Sequence, residues 1–359
     1  MSSKVFLIKL KDGADAKKQA EAMAKLYDHC NLSDMIEENN FVAIKLHVGD
    51  KDNSTYIRPE IAAVLARKAK EKDAHPFMTE TSTLYKGVRS NAVSHIMHAD
   101  SHGFTIQKVG APFIMADGLS GNLEIEVEIN GILNKKVRIA REARMTDCMF
   151  VVSHPTGHMV TGYGGAIKNL GMGLASRKGK LKQHSIMDPE IHKDKCVMCG
   201  RCIEWCPEDA IIKVDGKAFI VREKCVGCGE CLAVCQFGAV KFDWGVESGD
   251  LQKHMAEHAL GVVKGKESKI FYFNIAINMT KECDCLPGSQ KKFIPDVGIF
   301  ASSDPIAIDE ATLDLTTGED GLDLSSKSFG NLDGRIQLEH GQKIGLGHRE
   351  YELVELEEG

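Results

Sequence analysis

An α/β main domain with a largely parallel sheet, carrying an inserted α+β module, is the fold this sequence predicts, on three observations. Short apolar runs alternate with amphipathic helical patterns over residues 4–101, the rhythm of parallel strands joined by crossover helices. The same rhythm resumes after residue 244. Between the two lies a cysteine-dense segment with no low-complexity linker on either side, which fits an insertion better than a tethered domain. The predicted division is therefore 1–189 for the first part of the α/β domain, 190–243 for the inserted module and 244–359 for the second part.

Each element has a local reason. Residues 4–10 alternate weakly and stop at Lys11-Asp12-Gly13, a strand and turn, and residues 14–28 place Ala, Met and Leu at helical intervals. Residues 41–48 read as the second strand, and Pro59 opens a helix running to about residue 72. A third strand at 77–81 leads through a polar loop to a helix at 92–101. In such sheets functional groups gather beyond the carboxyl ends of the strands, where Lys45, His47 and Glu80 fall. Over 123–139, Glu124, Glu126 and Glu128 alternate with Ile125, Val127 and Ile129, and Asn130-Gly131 signals an antiparallel hairpin. Residues 148–153 form a fully apolar strand that runs into His154-Pro155-Thr156-Gly157-His158. After the module come a helix at 250–263, a strand at 269–277, Cys283-Asp284-Cys285 and a strand at 297–301. A helix at 306–315 follows, capped by Asp304 with Pro305 at its first position, and 351–356 is the last strand.

Composition excludes several classes. With a net charge of -6 and a pI near 6.2, no global basic field favours nucleic acid or an anionic membrane. No apolar run approaches the length of a membrane span, and the apolar core at 5–8 is too short for a signal peptide. A cytoplasmic protein with reduced thiols is expected.

The module carries Cys196, Cys199, Cys202 and Cys206, followed by Pro207, and then Cys225, Cys228, Cys231 and Cys235. Each run spells C-x2-C-x2-C-x3-C, and the second repeats the first after 29 residues, with Asp209-Ala210-Ile211 returning as Gly238-Ala239-Val240. Three thiolates at intervals of three residues share one tight loop and can reach three irons of a single cube, while Gly200, Gly227 and Gly229 permit close approach of the backbone. A pair of zinc sites is the competing reading, but zinc knuckles leave no role for the third cysteine. A disulfide framework fits a chain of this length and kind worse still. The segment resembles bacterial two-cluster ferredoxins. That resemblance implies two 4Fe–4S clusters, one held by Cys196, Cys199, Cys202 and Cys235, the other by Cys225, Cys228, Cys231 and Cys206. Gln236 replaces the Pro usual after the second run, a small departure because that Pro mainly turns the chain away.

Other candidates lie outside the module. The stretch 162–173 holds five glycines with Lys168 and Asn169 among them; it reads either as an anion-binding nest or as a tight turn near the core, and it fits neither nucleotide fingerprint. Cys283-Asp284-Cys285 offers soft metal ligands, a redox-active thiol pair, or two plain thiols; in an extended segment their side chains would face opposite ways. His95, His98 and His102 share a helical face that reads as polar helix surface, Asp309 reads as a solvated helix residue, and Cys30 and Cys148 read as small buried hydrophobes. His47 and His158, in polar loops after strands, are the stronger histidines.

Four stretches together resemble the family catalogued as domain of unknown function 362: Lys45-Leu46-His47-Val48-Gly49, the run from Tyr163 through Lys168 and Asn169 to Gly173, Cys283-Asp284-Cys285, and Ser303-Asp304-Pro305-Ile306-Ala307-Ile308-Asp309. Several members of that family carry an inserted ferredoxin-like module, but membership supplies no reaction. The expectation is an iron–sulfur oxidoreductase in which the module carries single electrons to or from a site formed by Lys45, His47, Glu80, His158, Lys168, Asn169 and Asp284, with Cys283 and Cys285 beside it. Lys45 and Lys168 would hold a small anionic substrate, His47 or His158 would move protons or bind metal, and Glu80 would act as acid or base. A redox partner protein is expected; nucleic acid and membrane are not. The rival readings are an electron carrier or cluster-based sensor without its own substrate, and a metal- or cofactor-assembly protein using Cys283 and Cys285.

Overall fold

The computed structural model describes all residues except 1, 86, 185–188, 207, 226–230, 232–233, 236, 242–247 and 358–359. Its centre is an eight-stranded sheet of β1 (Ser3–Lys9), β2 (Phe41–Lys45), β3 (His75–Glu80), β4 (Phe113–Met115), β5 (Cys148–Ser153), β6 (Ile270–Ala276), β7 (Gly298–Ser302) and β8 (Tyr351–Leu356). The spatial order is β8-β1-β7-β6-β5-β2-β3-β4. Every neighbouring pair is parallel except those made by β7, which runs against both β1 and β6. The mixed α/β class with a largely parallel sheet is thus the observed one.

Strand periodicity divides the apolar residues between two layers. In β5, Met149 and Val151 face one cluster, while Cys148, Phe150 and Val152 face the other. All six residues of β5 are buried because helices cover both faces, which is why this strand reads as one continuous apolar run. One layer packs Met23 and Leu26 of the helix Ala16–His29 and Ile61 and Leu65 of Pro59–Lys70; each such side chain contributes roughly 1.5–3 kcal/mol on burial. The other packs Ile167 and Leu170 of Ala166–Gly171, Met255 and Ala259 of Ser248–Val263, and Ile306 and Ala307 of Pro305–Leu315.

The predicted second strand is shorter than its apolar run: β2 ends at Lys45, and Gly49 turns with φ of +79° as the chain leaves the sheet. The hairpin forms between Glu124–Glu128 and Lys136–Ala140, with Glu126 opposite Arg138. Strand β4 and the helix Ile336–Lys343 arise where no element was predicted. No helix among the described residues is long and apolar enough to cross a membrane.

The cysteine-rich segment has an apolar cluster of its own, Cys196, Ile211, Ala218, Ile220, Cys231, Ala239 and Val240, around the hairpin Ile211–Val214 and Lys217–Ile220. Cys228, Gly227, Gly229, Pro207 and Gln236 lie outside the described residues.

One close packing carries a prediction. The helix Ala166–Gly171 rests on Ser248–Val263 through Gly171, whose α-carbon faces the Met255 backbone; a Cβ there would overlap the Met255 carbonyl oxygen and sit 3.2 Å from Ala259 N. Gly171→Ala therefore forces the two helices apart, at an expected cost of about 1–3 kcal/mol in a urea melt.

Candidate functional site

The carboxyl ends of β2, β3, β5 and β6 leave the sheet on one side, and polar residues at or just beyond those ends touch one another. Lys45 ends β2 fully buried, its Nζ donating to Asn169 Oδ1 at 2.7 Å and to Leu46 O at 2.6 Å, with Glu80 Oε1 3.9 Å away. Asn169 is aimed by its own amide, which donates to Val152 O and Ser153 Oγ at the end of β5. Burial, followed by the charges of Arg89 and Lys168, brings Lys45 down to about 8 against the pull of Glu80. This ammonium therefore holds its proton less tightly than an ordinary lysine does.

Glu80, the last residue of β3, meets His95 Nε2 at 3.0 Å and accepts from Val48 N–H at 3.2 Å. Burial opposes its charge, yet the imidazoles of His47 and His95 and the Lys45 ammonium outweigh that and hold it well below the usual carboxylate range. His47 has Gly49 N–H at 3.0 Å from Nδ1 and Arg89 Nη1 at 2.9 Å from Nε2, so both ring nitrogens face donors. Burial and then Arg89 push it down to about 3, which leaves a neutral ring. Arg89 in turn grips Asp50 with Nε at 3.0 Å and Nη2 at 2.8 Å.

Asp284 sits 2.6 Å from His154 Nδ1 and also accepts from Thr55 Oγ1 at 2.9 Å. His154 Nε2 faces Ile277 O at 2.9 Å, so both nitrogens of this ring face acceptors, the mirror image of His47. Burial disfavours charge on each partner, but their mutual attraction wins: Asp284 is held down at about 2, and His154 is raised. The pair is a buried imidazolium–carboxylate ion pair.

The predicted opposite orientation of Cys283 and Cys285 is not observed. Residues 283–286 form a turn in which Leu286 N–H bonds Cys283 O and Cys285 N–H points at Cys283 Sγ, 3.2 Å away, so both sulfurs come to one place. Lys168 Nζ lies 2.9 Å from Cys283 Sγ. The Cys285 thiol donating to it, then the Lys168 ammonium, lower Cys283 to about 6 despite burial, while Cys285 is pushed well up and Lys168 is raised by the thiolate. A ring nitrogen of His158 and the two sulfurs lie within 4.8 Å of one another, close enough to share one metal ion.

Lys45 thus touches both Glu80 and Asn169, His47 and Asp50 share Arg89, Asp284 O accepts from Asp50 N–H at 2.9 Å, and Lys168 lies with His158 at the adjoining cysteine pair. Several of these residues had not been singled out from the sequence. Arg89 and Asp50 are ordinary loop charges there, although His154, like Lys45 and Glu80, stands at the end of an apolar parallel strand, a signal that could have found it.

Three expectations are corrected. His95 and His98 are buried rather than surface residues, because Ala92–Ser101 turns its histidine face toward Glu80 and toward the carbonyls of Val48 and Gly49, which His102 and His98 meet at 2.7 and 3.2 Å. Asp309 is fully buried rather than solvated. Its carboxylate accepts from Ala166 N at 2.8 Å and Ile167 N at 3.0 Å, so the anion at the start of the glycine-rich helix is an internal side chain and not a ligand. Among those glycines only Gly162 has positive φ; Gly171 and Gly173 let backbone approach closely, and Gly165 makes room for the Asp309 carboxylate and the Tyr163 ring. Cys30 is half-buried, whereas Cys148 is buried as expected. Asp304 caps its helix, accepting from Ile306 N at 2.8 Å and Ala307 N at 3.1 Å.

In the cysteine-rich segment, Cys196, Cys199, Cys202 and Cys235 line one hollow together with Ile191, Met198 and Val240. Ala210 N–H points at Cys206 Sγ over 3.2 Å and Ala239 N–H at Cys235 Sγ over 3.3 Å, equivalent contacts in the two halves of the repeat.

These features define an α/β protein with buried charges gathered beyond the carboxyl ends of a parallel sheet. The model of the domain of unknown function DUF362 matches residues 42–314, and the chain belongs to that family. No curated protein matches. Among solved structures, the lactate racemase apoprotein from Thermoanaerobacterium thermosaccharolyticum is similar, at 14% identity and a TM-score of 0.39, over 75% of this chain and 50% of that one. This chain spans half the length of that protein.

Proposed function

We propose that this chain is an iron–sulfur oxidoreductase, with two 4Fe–4S clusters in the module 190–243 and the reaction site in the α/β domain formed by 1–189 and 244–359. The repeated C-x2-C-x2-C-x3-C spacing carries the reading. The donor set fits the group: four of the cysteines surround one hollow, and N–H groups turn toward Cys206 and Cys235 as cluster thiolates require. Cys196, Cys199, Cys202 and Cys235 would hold one cluster and Cys206, Cys225, Cys228 and Cys231 the other. When bound, they would supply single-electron transfer, at potentials that ligand type alone leaves anywhere from roughly -700 to +450 mV.

At the strand ends, Lys45 and Lys168 supply positive charge for a small anionic substrate. Lys45, with its ammonium brought down to about 8, is the group best placed to give or take a proton there, with Glu80 holding it and His47 as a neutral acceptor. A cluster carrier without a substrate has no need of so many buried charges, whose desolvation costs stability. The reading includes a redox partner protein and a reducing, cytoplasmic setting.

Anaerobic purification with iron and acid-labile sulfide analysis tests it. About eight irons per chain, and interacting 4Fe–4S signals in the EPR spectrum of the reduced protein, are expected. About two zinc ions and no signal would overturn it.

A further inference from the structure

The cysteine pair beyond β6 has a chemistry of its own, independent of whether the module holds clusters. Its two sulfurs share one turn, Lys168 Nζ stands 2.9 Å from Cys283 Sγ, and Cys285 is the more exposed of the two. A metal ion is the first use that such a group invites, but the imidazole is set the wrong way. His158 Nδ1 accepts from Thr161 N–H at 3.1 Å and from Val160 N–H at 3.3 Å, so the ring proton belongs on Nε2, and no lone pair remains for an ion. Metal-bound histidines show the reverse arrangement, with the second nitrogen donating to a carbonyl or carboxylate. The Lys168 ammonium also stands against the sulfur on which a cation would have to sit.

We propose that Cys283 and Cys285 form a reversible dithiol–disulfide couple that exchanges with low-molecular-mass thiols and disulfides through Cys285, the more exposed residue of the pair, with Cys283 as the thiolate held by Lys168. In the reducing direction a thiolate RS⁻ attacks Cys285 Sγ, the Cys283–Cys285 bond breaks, and its electron pair stays on Cys283 as thiolate. A second RS⁻ then attacks the mixed disulfide, forming RSSR, and the Cys285 sulfur takes a proton from water. The disulfide gains two electrons and two thiols lose them. Attack at Cys285 makes Cys283 the leaving group, and the sulfur with the lower pKa leaves faster. Because Lys168 stabilises only the reduced form, the couple is an easily reduced one, as in oxidoreductases whose thiolate is held by nearby positive charge.

The test uses the full chain, equilibrated anaerobically with graded ratios of reduced to oxidised glutathione, acid-quenched, then alkylated under denaturing conditions. Tryptic cleavage after Lys281 and Lys291 yields a peptide that contains Cys283, Cys285 and no other cysteine. Both of its alkyl groups are expected to be lost together as the buffer becomes oxidising. Lys168→Met should shift that equilibrium at least about tenfold toward the disulfide, about 30 mV for a two-electron couple, whereas Lys168→Arg, which keeps the charge, should shift it far less. A peptide fully alkylated at every ratio, or a midpoint unmoved by Lys168→Met in a folded protein, would overturn the proposal. So would a stoichiometric metal ion lost on Cys283→Ser while iron and sulfide stay unchanged. Iron and sulfide measured in the same samples report separately on the clusters.

Discussion

Asp284→Ala lowers the free energy of unfolding by about 3–5 kcal/mol, because it leaves the His154 imidazolium buried without its counter-charge. Asn53 Nδ2 loses its acceptor as well, and Thr55 Oγ1 the shorter of its two contacts. The dependence on pH identifies the ion pair as the cause. Asp284 is depressed to about 2, so its contribution is complete above the unfolded carboxyl value near 3.9 and fades as pH falls toward 2. His154 is raised, so its contribution is complete below the unfolded value near 6.5 and is lost as pH rises through its higher folded value. The gap between wild type and variant in urea melts should therefore be widest between about pH 4 and 6.5 and narrow on either side. A gap that does not change with pH would mean that lost packing, not charge, explains the destabilisation.

Asp309→Ala has an effect of similar size by a different route. One carboxylate holds four donors: Ala166 N, Ile167 N, Tyr163 Oη at 3.1 Å and Asn274 Nδ2 at 2.8 Å. Each buried donor left unsatisfied costs about 1–3 kcal/mol, and water entering the space relieves only part of that, so a net loss of about 3 kcal/mol or more is expected. The loss should be local as well as global. Asp309 fixes the start of the helix that carries Lys168 and Asn169, so hydrogen exchange across 163–171 should speed up more than exchange in β5. Uniform acceleration in both segments would show that Asp309 serves overall stability and does not hold this helix in particular.

Much of the architecture was legible in short windows. The strand β5 is recognisable from five consecutive apolar residues, Pro305–Leu315 from its Asp304 cap and Pro305, and the hairpin from the alternation of Glu with Ile and Val. These signals concern backbone periodicity and nearest neighbours, which a window of a dozen residues contains. The reversal of β7 is harder to read. Its cue is negative: no helix lies between β6 and β7 to carry a parallel crossover, so the returning strand pairs antiparallel with β6.

The site was partly legible for the same reason. A charged or polar residue at the end of an apolar parallel strand has few places to go, and Lys45, Glu80 and His154 each stand at such an end. Asp309 and His95 defeated that logic, because each lies on a helix whose burial depends on which elements pack against it. His95 looks like surface until Glu80, fifteen residues earlier in the chain, is brought against it. Asp309 looks solvated until the start of another helix, 143 residues away, arrives at its carboxylate.

The sequence by itself determined the alternation of strands and helices, the doubled cysteine spacing and the placing of Lys45, His47, Glu80 and Asp284 at strand ends and loops, since these are properties of short stretches of chain. Tertiary structure alone decided which charges are paired and which thiol stands against an ammonium. Lys168 is 115 residues from Cys283, and His154 is 130 from Asp284. A charge changes its neighbour's protonation only across a few ångströms of poorly solvated space, and folding the chain is what creates both that closeness and that exclusion of water.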